Sequence, residues 1–318
     1  MISANSSSLI HFTNKLSTLK RILCNGIRYS YAFESIPQGV LNNLINDTTK
    51  IASSILNYDD SYGIALPMVS FCDIPLTRAL DHSNTYGKYG IGIEKDFMLH
   101  FYKEYFNPVI YSSSDAIKEA IYFFSAERLR TMDRILDSAV TLINTEEYIN
   151  FLKVSEHSKA ADILAYLPTS LQNEYNQHIE ESYNTSIILA LYKPYKGTNF
   201  LGKEQVFYDE REWRAFYPHS DGSPYSWLFP ITRKEFLTRR QELNAQISQW
   251  EDGYITIPEN CLDAISHIIV KNDYQRDSII EFILKSRKLF GHTISQDSKL
   301  KYKIISKISS FEKTETDY

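Results

Sequence analysis

The chain has 318 residues, of which 43% are hydrophobic and 14% aromatic, including 23 Tyr and 17 Phe. This composition supports a sizeable core and excludes the low-complexity and disordered classes. The formal net charge of -5 excludes a global positive field that would draw the protein to nucleic acid, so only a local basic groove remains for that purpose.

Signals for export and for metal binding are missing from the sequence. Residues 1–12 carry neither a basic leader nor a sustained apolar region, and no other run is long enough to cross a bilayer. We therefore expect a cytoplasmic protein with no membrane partner. The three cysteines lack C-x-x-C spacing and no histidine pair has H-E-x-x-H spacing, so we expect no disulfide framework and no bound metal.

The first elements are a strand at residues 9–13 and a helix that follows it. Apolar residues repeat at helical spacing from Leu16 until Gly26, which supplies a C-terminal cap. His11 and Thr13 lie on the same face of the strand, because they are two residues apart. A polar pair in an apolar region must be hydrogen-bonded, so the two are candidates for binding, and the alternative is a satisfied core histidine.

Residues 67–97 contain more local structural signals than any other segment. A short buried strand around Phe71 is followed by Asp73 and Pro75, which stop the strand and start a helix. A second strand at 91–93 contains glycine, and a backbone without side chains leaves room for a ligand to approach closely. This arrangement is typical of a binding cleft.

Polar and aromatic residues of the same segment are candidates for ligand contacts. Tyr86 and Tyr89 have rings that suit a nicotinamide or nucleobase pocket, although packing at a rim explains them equally. Ser70 alternates with the apolar residues of the strand. Cys72 has only His82 nearby as a base, and a single cysteine with scattered histidines is poor support for a nucleophile.

A helical insertion divides the predicted core. Residues 113–183 show long helical periodicity with charges between the apolar positions. A continuous apolar run at 186–192 has no alternation, which is typical of a central strand covered on both faces. We therefore predict an α+β core, formed by residues 1–112 and 184–318, with an all-helical insertion at 113–183.

Several further elements complete the predicted core. A helical pair is expected at residues 40–55, and Thr232 with Glu235 forms a capping box for a later helix. Strands follow at 254–257 and 267–270. A last helix is expected at 275–290 with Gly291 as its cap.

Residues 210–214 carry the most concentrated charges of the core. On a strand, Glu210, Glu212 and Arg214 share one face, opposite a large aromatic face. A carboxylate beside Arg214 stays ionised, because a neighbouring cation favours the charged form. Such a group can stabilise a developing positive charge or accept a proton from a hydroxyl. Exposed edge strands carry similar charges, so both interpretations remain open.

Three segments of the chain, taken together, resemble a known family. They are LIHFTNKLSTLKRILCNGI, VSFCDIPL with YGKYGIGI, and FYDEREWRAF. In this order they resemble the AbiGi family of abortive phage-infection proteins, in which one component is labelled an antitoxin. The resemblance implies anti-phage defence and a toxin or other defence-system partner.

A more distant similarity concerns ADP-ribosyltransferases of the H-Y-E type, including DarT-like enzymes that modify nucleic acid. The similar features are an H-x-T strand, a helix ending I-L-x-x-G-I and a late strand bearing Glu. They imply an ADP-ribosyltransferase-like mixed sheet and NAD as cofactor, with Glu212 holding the ribose 2′-hydroxyl and stabilising an oxocarbenium-like transition state. The implied catalytic residues are Glu212, His11 and Glu210, and the implied NAD-binding residues are His11, Thr13, Ser70, Phe71, Tyr86, Tyr89 and Arg214.

Three functional interpretations follow. The first is a defence protein that binds NAD and transfers ADP-ribose to a protein or nucleic-acid acceptor, or hydrolyses NAD. The second is a non-catalytic antitoxin that uses the same fold to bind a toxin. The third is a nucleic-acid-binding or nuclease module, against which the acidic balance and the missing metal spacing count.

Overall fold

The computed structural model describes residues 6–35, 62–114, 116, 134, 168–198, 202–217, 228–250, 252–295 and 298–312. In these ranges the strands are β1 (Ser8–Thr13), β2 (Ile27–Arg28), β3 (Ser30–Ser35), β4 (Tyr62–Cys72), β5 (Tyr89–Glu94), β6 (Phe106–Pro108), β7 (Ile110–Ser112), β8 (Tyr192–Pro194), β9 (Lys196–Thr198), β10 (Glu204–Val206), β11 (Glu212–Phe216), β12 (Leu228–Thr232), β13 (Tyr254–Ile255), β14 (Ile265–Val270), β15 (Lys288–Leu289), β16 (His292–Thr293) and β17 (Ile308–Ser310). The helices are α1 (Leu16–Asn25), α2 (Leu76–Tyr86), α3 (Lys95–Phe101), α4 (Thr169–Leu191), α5 (Arg233–Ile247), α6 (Asp273–Lys285) and α7 (Lys299–Ile305). Two 3-10 helices lie at Phe207–Glu210 and Glu259–Ala264. None of the helices in the described ranges has the length and apolarity needed to cross a membrane.

One large mixed sheet organises the described residues. It has nine strands in the order β17-β14-β5-β1-β4-β11-β6, and β3 and β12 also pair with β4. The pairing of β14 with β17 is parallel, whereas the pairings of β1, β4, β5 and β11 with their neighbours are antiparallel. These elements confirm the predicted α+β class. The ADP-ribosyltransferase-like character of the core stays a prediction.

Strand β4 lies at the centre of the sheet and changes partners along its length. On one edge it pairs with β11 and then β12, and on the other with β1 and then β3. The contact with β1 consists of one residue pair, Ile10 with Cys72, whereas β1 pairs with β5 along all its residues. The partner β3 begins opposite Met68, so the β1 edge of β4 is unpaired between Cys72 and Met68.

The strand register assigns the functional side chains to two faces of the sheet. Residues that are directly paired point to the same side, and successive residues point to opposite sides. Ile10 is paired with Cys72, and Cys72 with Glu212, so these three share one face. Ala79 of helix α2 packs against this face, which we call the α2 face.

The opposite face carries the main core. Leu9 of β1, Phe71 of β4 and Ile91 of β5 pack there with Leu19 and Leu23 of helix α1. We call it the α1 face. Because β1 alternates, His11 and Thr13 also point to the α1 face.

The start of the chain folds as its pattern predicts. Helix α1 ends where the N–H of Gly26 donates to Ile22 O over 2.8 Å. The φ of Gly26 is 93°, and a Cβ there would lie 2.4 Å from Ile255 O, so the position requires glycine. The Thr232 cap is also confirmed, because its hydroxyl accepts from Glu235 N over 3.0 Å.

The predicted strand at residues 186–192 is wrong, because residues 186–191 form the last turns of helix α4. Leu189, Ala190 and Leu191 are buried while Ile188 is exposed, so the run is covered on one side only. An apolar run of this length has no periodicity that separates a strand from a buried helix, and the sequence pattern therefore fits both.

The predicted end of the last long helix is also wrong. Helix α6 ends at Lys285, and Gly291 does not cap it. Instead, Phe290 and Gly291, with φ values of 49° and 94°, form the turn between β15 and β16. Positive φ at both central residues matches the turn type that joins two-residue hairpins.

Some predicted elements lie outside the described residues. These are the helical pair at 40–55 and most of the insertion at 113–183. Helix α4 is described from Thr169 and continues through residues 183 and 184. The division into a core and an insertion stays a prediction.

Candidate functional site

Charged side chains meet on the α2 face where β11 follows the short helix Phe207–Glu210. Glu210 is the last residue of that helix and does not lie on the strand, which corrects the predicted strand alternation from residue 210. Arg211 separates the two elements with a left-handed φ of 45°. This turn brings the Glu210 carboxylate next to that of Glu212, and both are buried.

Two cations hold these carboxylates. Arg214 Nε lies 2.8 Å from Glu212 Oε1, and its Nη2 lies 3.3 Å from Oε2. Lys193 Nζ bridges the pair, at 3.1 Å from Glu212 Oε2 and 2.7 Å from Glu210 Oε2. We call Glu210, Glu212, Lys193 and Arg214, together with Glu34, the acidic centre.

Glu34 extends the acidic centre toward β3. Its Oε1 lies 3.0 Å from Arg214 Nη1, and the same guanidinium donates to Ala190 O of helix α4. Three carboxylates therefore face two cations, and the cluster carries one negative charge in excess. Buried charges are stable only when they are paired and hydrogen-bonded, and this condition is met here.

Neutral groups complete the hydrogen bonds of the centre. The Tyr86 hydroxyl and Gln205 Nε2 donate to Glu210, the latter over 2.6 Å. The Glu212 N–H donates to the Tyr111 hydroxyl over 2.8 Å. Burial and the adjacent Glu210 carboxylate raise the pKa of Tyr86 well above its ordinary value, so its proton stays on the hydroxyl.

The electrostatics keep Glu212 ionised. Burial alone would raise the pKa of Glu212, but the charges of Arg214 and Lys193, with hydrogen bonds from Arg214 and Ser70, lower it to about 2. Burial would likewise lower the pKa of Lys193, and the two carboxylates outweigh this and raise it. Glu212 and Lys193 are therefore both charged at neutral pH.

Cys72 lies beside the centre but does not act as a nucleophile there. Burial, followed by the charges of Glu212 and Glu210, raises the pKa of the Cys72 thiol far above its ordinary value. A nucleophilic cysteine requires a lowered pKa. No hydrogen bond joins the His82 and Cys72 side chains among the described contacts, so His82 is not placed to accept the thiol proton.

The other predicted residues lie on the α1 face. His11 Nδ1 lies 2.9 Å from Ser70 O, in the interval where the β1 edge of β4 has no strand partner among the described residues, and its ring is 5.8 Å from that of Phe71. Thr13 and Tyr89 are paired across β1 and β5 and are buried. Burial lowers the pKa of His11, although the bond to Ser70 O opposes this effect.

The sheet therefore divides the predicted site residues into two groups. Glu210, Glu212, Arg214, Tyr86 and the Ser70 hydroxyl come together on the α2 face. The side chains of His11, Thr13, Phe71 and Tyr89 lie on the α1 face. Ser70 touches both groups, because its hydroxyl bonds Glu212 and its carbonyl accepts from His11.

The sequence pattern did not indicate Lys193, Gln205, Tyr111 or Glu34. These residues come from separate elements and meet the centre through tertiary contacts. The one available signal was the position of Lys193 directly after an apolar run. Within the described ranges, no cluster of three or more His, Cys, Asp or Glu side chains could hold a metal ion.

The fold and the site define an α+β protein whose central mixed sheet carries a buried, internally paired acidic centre. A family model described as "Putative abortive phage resistance protein AbiGi, antitoxin" matches residues 44–252, about two thirds of the chain. The chain belongs to this AbiGi family, as its sequence segments predict. Comparison with curated proteins and with solved structures gave no match. The similarity to ADP-ribosyltransferases stays a prediction from the sequence.

Proposed function

We propose that the protein is the non-catalytic antitoxin of an abortive-infection system and binds the toxin of that system. The observation that carries this proposal is the saturation of Glu212. A carboxylate offers about four acceptor positions, and four internal donors use them: Arg214 Nε, Arg214 Nη2, Lys193 Nζ and the Ser70 hydroxyl.

This saturation argues against a catalytic carboxylate. An ADP-ribosyltransferase glutamate must bind a ribose hydroxyl, and Glu212 would have to release an internal donor first. Interactions that accelerate a reaction are those that strengthen in the transition state, and a carboxylate already neutralised by two cations has little left to gain. His11, which was also predicted to be catalytic, lies on the opposite face of the sheet.

An exposed aromatic surface supports protein binding. The rings of Tyr195 and Tyr208 stack with centroids 5.7 Å apart, and Tyr111 contacts Tyr208 at 5.6 Å. Tyr195 and Tyr208 are 43% and 49% exposed. We call Tyr111, Tyr195 and Tyr208 the tyrosine patch.

The composition of the tyrosine patch fits an interface. Exposed tyrosines that lie together are typical of protein-binding sites, and tyrosine is enriched among the residues that dominate binding energy. The patch also touches the acidic centre, because the Tyr111 hydroxyl accepts from Glu212 N. The internal ion pairs therefore hold the strands that present the patch.

Co-purification with the product of the neighbouring gene tests the proposal. The protein and that product are co-expressed, with the tag on the antitoxin. We expect the double variant Tyr195→Ala with Tyr208→Ala to weaken the complex by about tenfold or more. The control is Tyr274→Ala on helix α6, because Tyr274 is 84% exposed and lies outside the patch. Equal recovery by all three proteins contradicts the role of the patch, and failure to recover the product with the wild-type protein contradicts the toxin-binding function.

The second candidate function is an NAD-dependent transfer of ADP-ribose. Two observations support it. Glu212 is ionised, and Glu212 and His11 both form a hydrogen bond with Ser70. Purified protein is incubated with NAD and with protein or nucleic-acid acceptors, and nicotinamide release is measured. Release by the wild-type protein but not by Glu212→Gln favours this candidate. Absence of release with every acceptor, including phage-infected lysate, rejects it.

A further inference from the structure

A cavity of about 220 Å³ lies on the α1 face between β1, α1 and β2. Arg21 of helix α1 and Arg28 of strand β2 line it, together with His11, Ser30 and Tyr254. No carboxylate is among the described residues that line it. The cavity therefore offers hydrogen-bond donors and positive charge, in a protein whose net charge is negative.

The two arginines lack the partners that the other face provides. Arg21 Nη2 donates to the Thr18 hydroxyl over 3.3 Å, and Arg28 Nη1 donates to the Ser248 hydroxyl over 3.2 Å. Neither forms an ion pair with a carboxylate of the described residues. Each guanidinium has further N–H donors, since arginine carries five.

We propose that this cavity binds the phosphate group of a small molecule, with Arg21 and Arg28 as its two cationic ligands. A guanidinium matches the geometry of phosphate oxygens with two parallel N–H donors. Phosphate carries close to two negative charges at neutral pH. Two arginines therefore match a phosphate dianion in charge as well as in hydrogen-bond geometry.

His11 does not change this charge balance. Its Nδ1 faces Ser70 O, which only accepts, so Nδ1 carries a proton in the neutral ring. The pKa of His11 is below its ordinary value because of burial. The ring is consequently neutral at pH 7 and leaves Nε2 as an acceptor for a hydroxyl of the ligand.

The C-terminal end of helix α1 borders the cavity and would repel an anion if its carbonyls were unpaired. The carbonyls of Leu23 and Cys24 are paired in this protein. Phe290 N donates to Leu23 O over 2.8 Å, and Gly291 N donates to Cys24 O over 2.9 Å. The turn between β15 and β16 thus uses the carbonyls that would otherwise oppose phosphate binding.

Isothermal titration calorimetry of the full-length protein tests this site. The ligands are inorganic phosphate and adenosine 5′-monophosphate, which distinguish a free phosphate ion from a phosphate ester. We expect Arg21→Gln and Arg28→Gln each to weaken binding by about tenfold or more. Both side chains are exposed, so their replacement leaves the core intact. Arg78→Gln on helix α2 is the matched control, because Arg78 is exposed on the other face of the sheet.

Each outcome decides the proposal. Binding of either ligand that requires both arginines and is unchanged in Arg78→Gln supports it, and the preferred ligand identifies the source of the phosphate. Absence of binding for both ligands at millimolar concentration overturns it. Binding that persists in Arg21→Gln and Arg28→Gln also overturns it. No toxin partner is present in this experiment, so its outcome is independent of the proposed antitoxin function.

Discussion

The charged side chains on the two faces of the central sheet differ in how they are paired. On the α2 face, three carboxylates and two cations are bonded to one another, and Glu210, Glu212 and Arg214 among them are buried. On the α1 face, Arg21 and Arg28 border a cavity with no carboxylate among the lining residues that the structure describes. Charged side chains that form ion pairs inside a protein connect the elements that carry them. Charged side chains without an ionic partner remain able to bind a charged ligand.

Removing a cation from the acidic centre tests the first half of this comparison. We expect Arg214→Met to destabilise the protein by about 3–5 kcal/mol, because it removes the cation shared by Glu212 and Glu34 and leaves the buried Glu212 with Lys193 alone. Urea unfolding at pH 7 measures the loss. The control Arg78→Met removes an exposed arginine and should change stability by less than about 0.5 kcal/mol. Similar losses for the two variants contradict the structural role of Arg214.

The pH dependence of stability provides a second test of the α2 face. The pKa of Glu212 is about 2 in the folded protein and has an ordinary value of 4.5. A lowered folded-state pKa adds stability that is complete above the ordinary value and is lost as pH falls toward the lower one. We expect Glu212 to account for a loss on the order of 3 kcal/mol between pH 4.5 and 2.

Comparison of the wild-type protein with Glu212→Gln isolates this contribution. The variant lacks the titrating carboxylate, so its stability should fall less steeply over the same pH range in urea unfolding. The other acidic residues titrate in both proteins and cancel in the comparison. Equal slopes show that the acid sensitivity arises elsewhere.

A smaller loss of stability is expected when a neutral hydrogen-bond donor of the acidic centre is removed. Tyr86→Phe removes the hydroxyl that donates to Glu210, and we expect a loss of about 1–3 kcal/mol because a buried carboxylate loses one donor. Thermal unfolding measures this loss. The matched change Tyr274→Phe, at an exposed tyrosine, should have no measurable effect. A neutral Tyr86→Phe means that Gln205 and Lys193 satisfy Glu210 by themselves.

The smallest expected effect lies on the α1 face. His11→Leu removes the bond to Ser70 O, and the expected loss is about 1 kcal/mol. Because His11 points away from the acidic centre, the acid-dependent slope between pH 4.5 and 2 should equal that of the wild-type protein. A changed slope indicates that the two faces are coupled through Ser70.

Local patterns in the sequence predicted individual elements well. The alternation of β1 placed His11 and Thr13 on one face, and glycine at position 26 marked the end of helix α1. The spacing of Glu212 and Arg214 likewise placed them together. Each of these features depends on residues that are close in the chain, which is why the pattern was sufficient.

The arrangement of the site depended on contacts between distant residues. Whether His11 and Glu212 share a face is decided by the register of β1, β4 and β11, which no local pattern contains. Lys193 reaches the acidic centre because residues 186–191 form a helix, where the apolar run predicted a strand. A short apolar run fits either structure until its neighbours are known.

Because β1 and β4 share a single residue pair, the large sheet consists of two halves that meet at a short join. Besides Ile10 with Cys72, the contacts across the join include the His11 bond to Ser70, the bonds of Asp73 to Ser6 N and Lys95 Nζ, and the packing of Leu9 with Phe71. One half contains β17, β14, β5 and β1, and the other contains β4, β11 and β6. Among the described residues the strands of the two halves share one backbone pairing, so side chains hold most of the join together. A ligand beside β1 and a toxin near β11 would then influence each other through this short seam and through the core that both halves share on the α1 face.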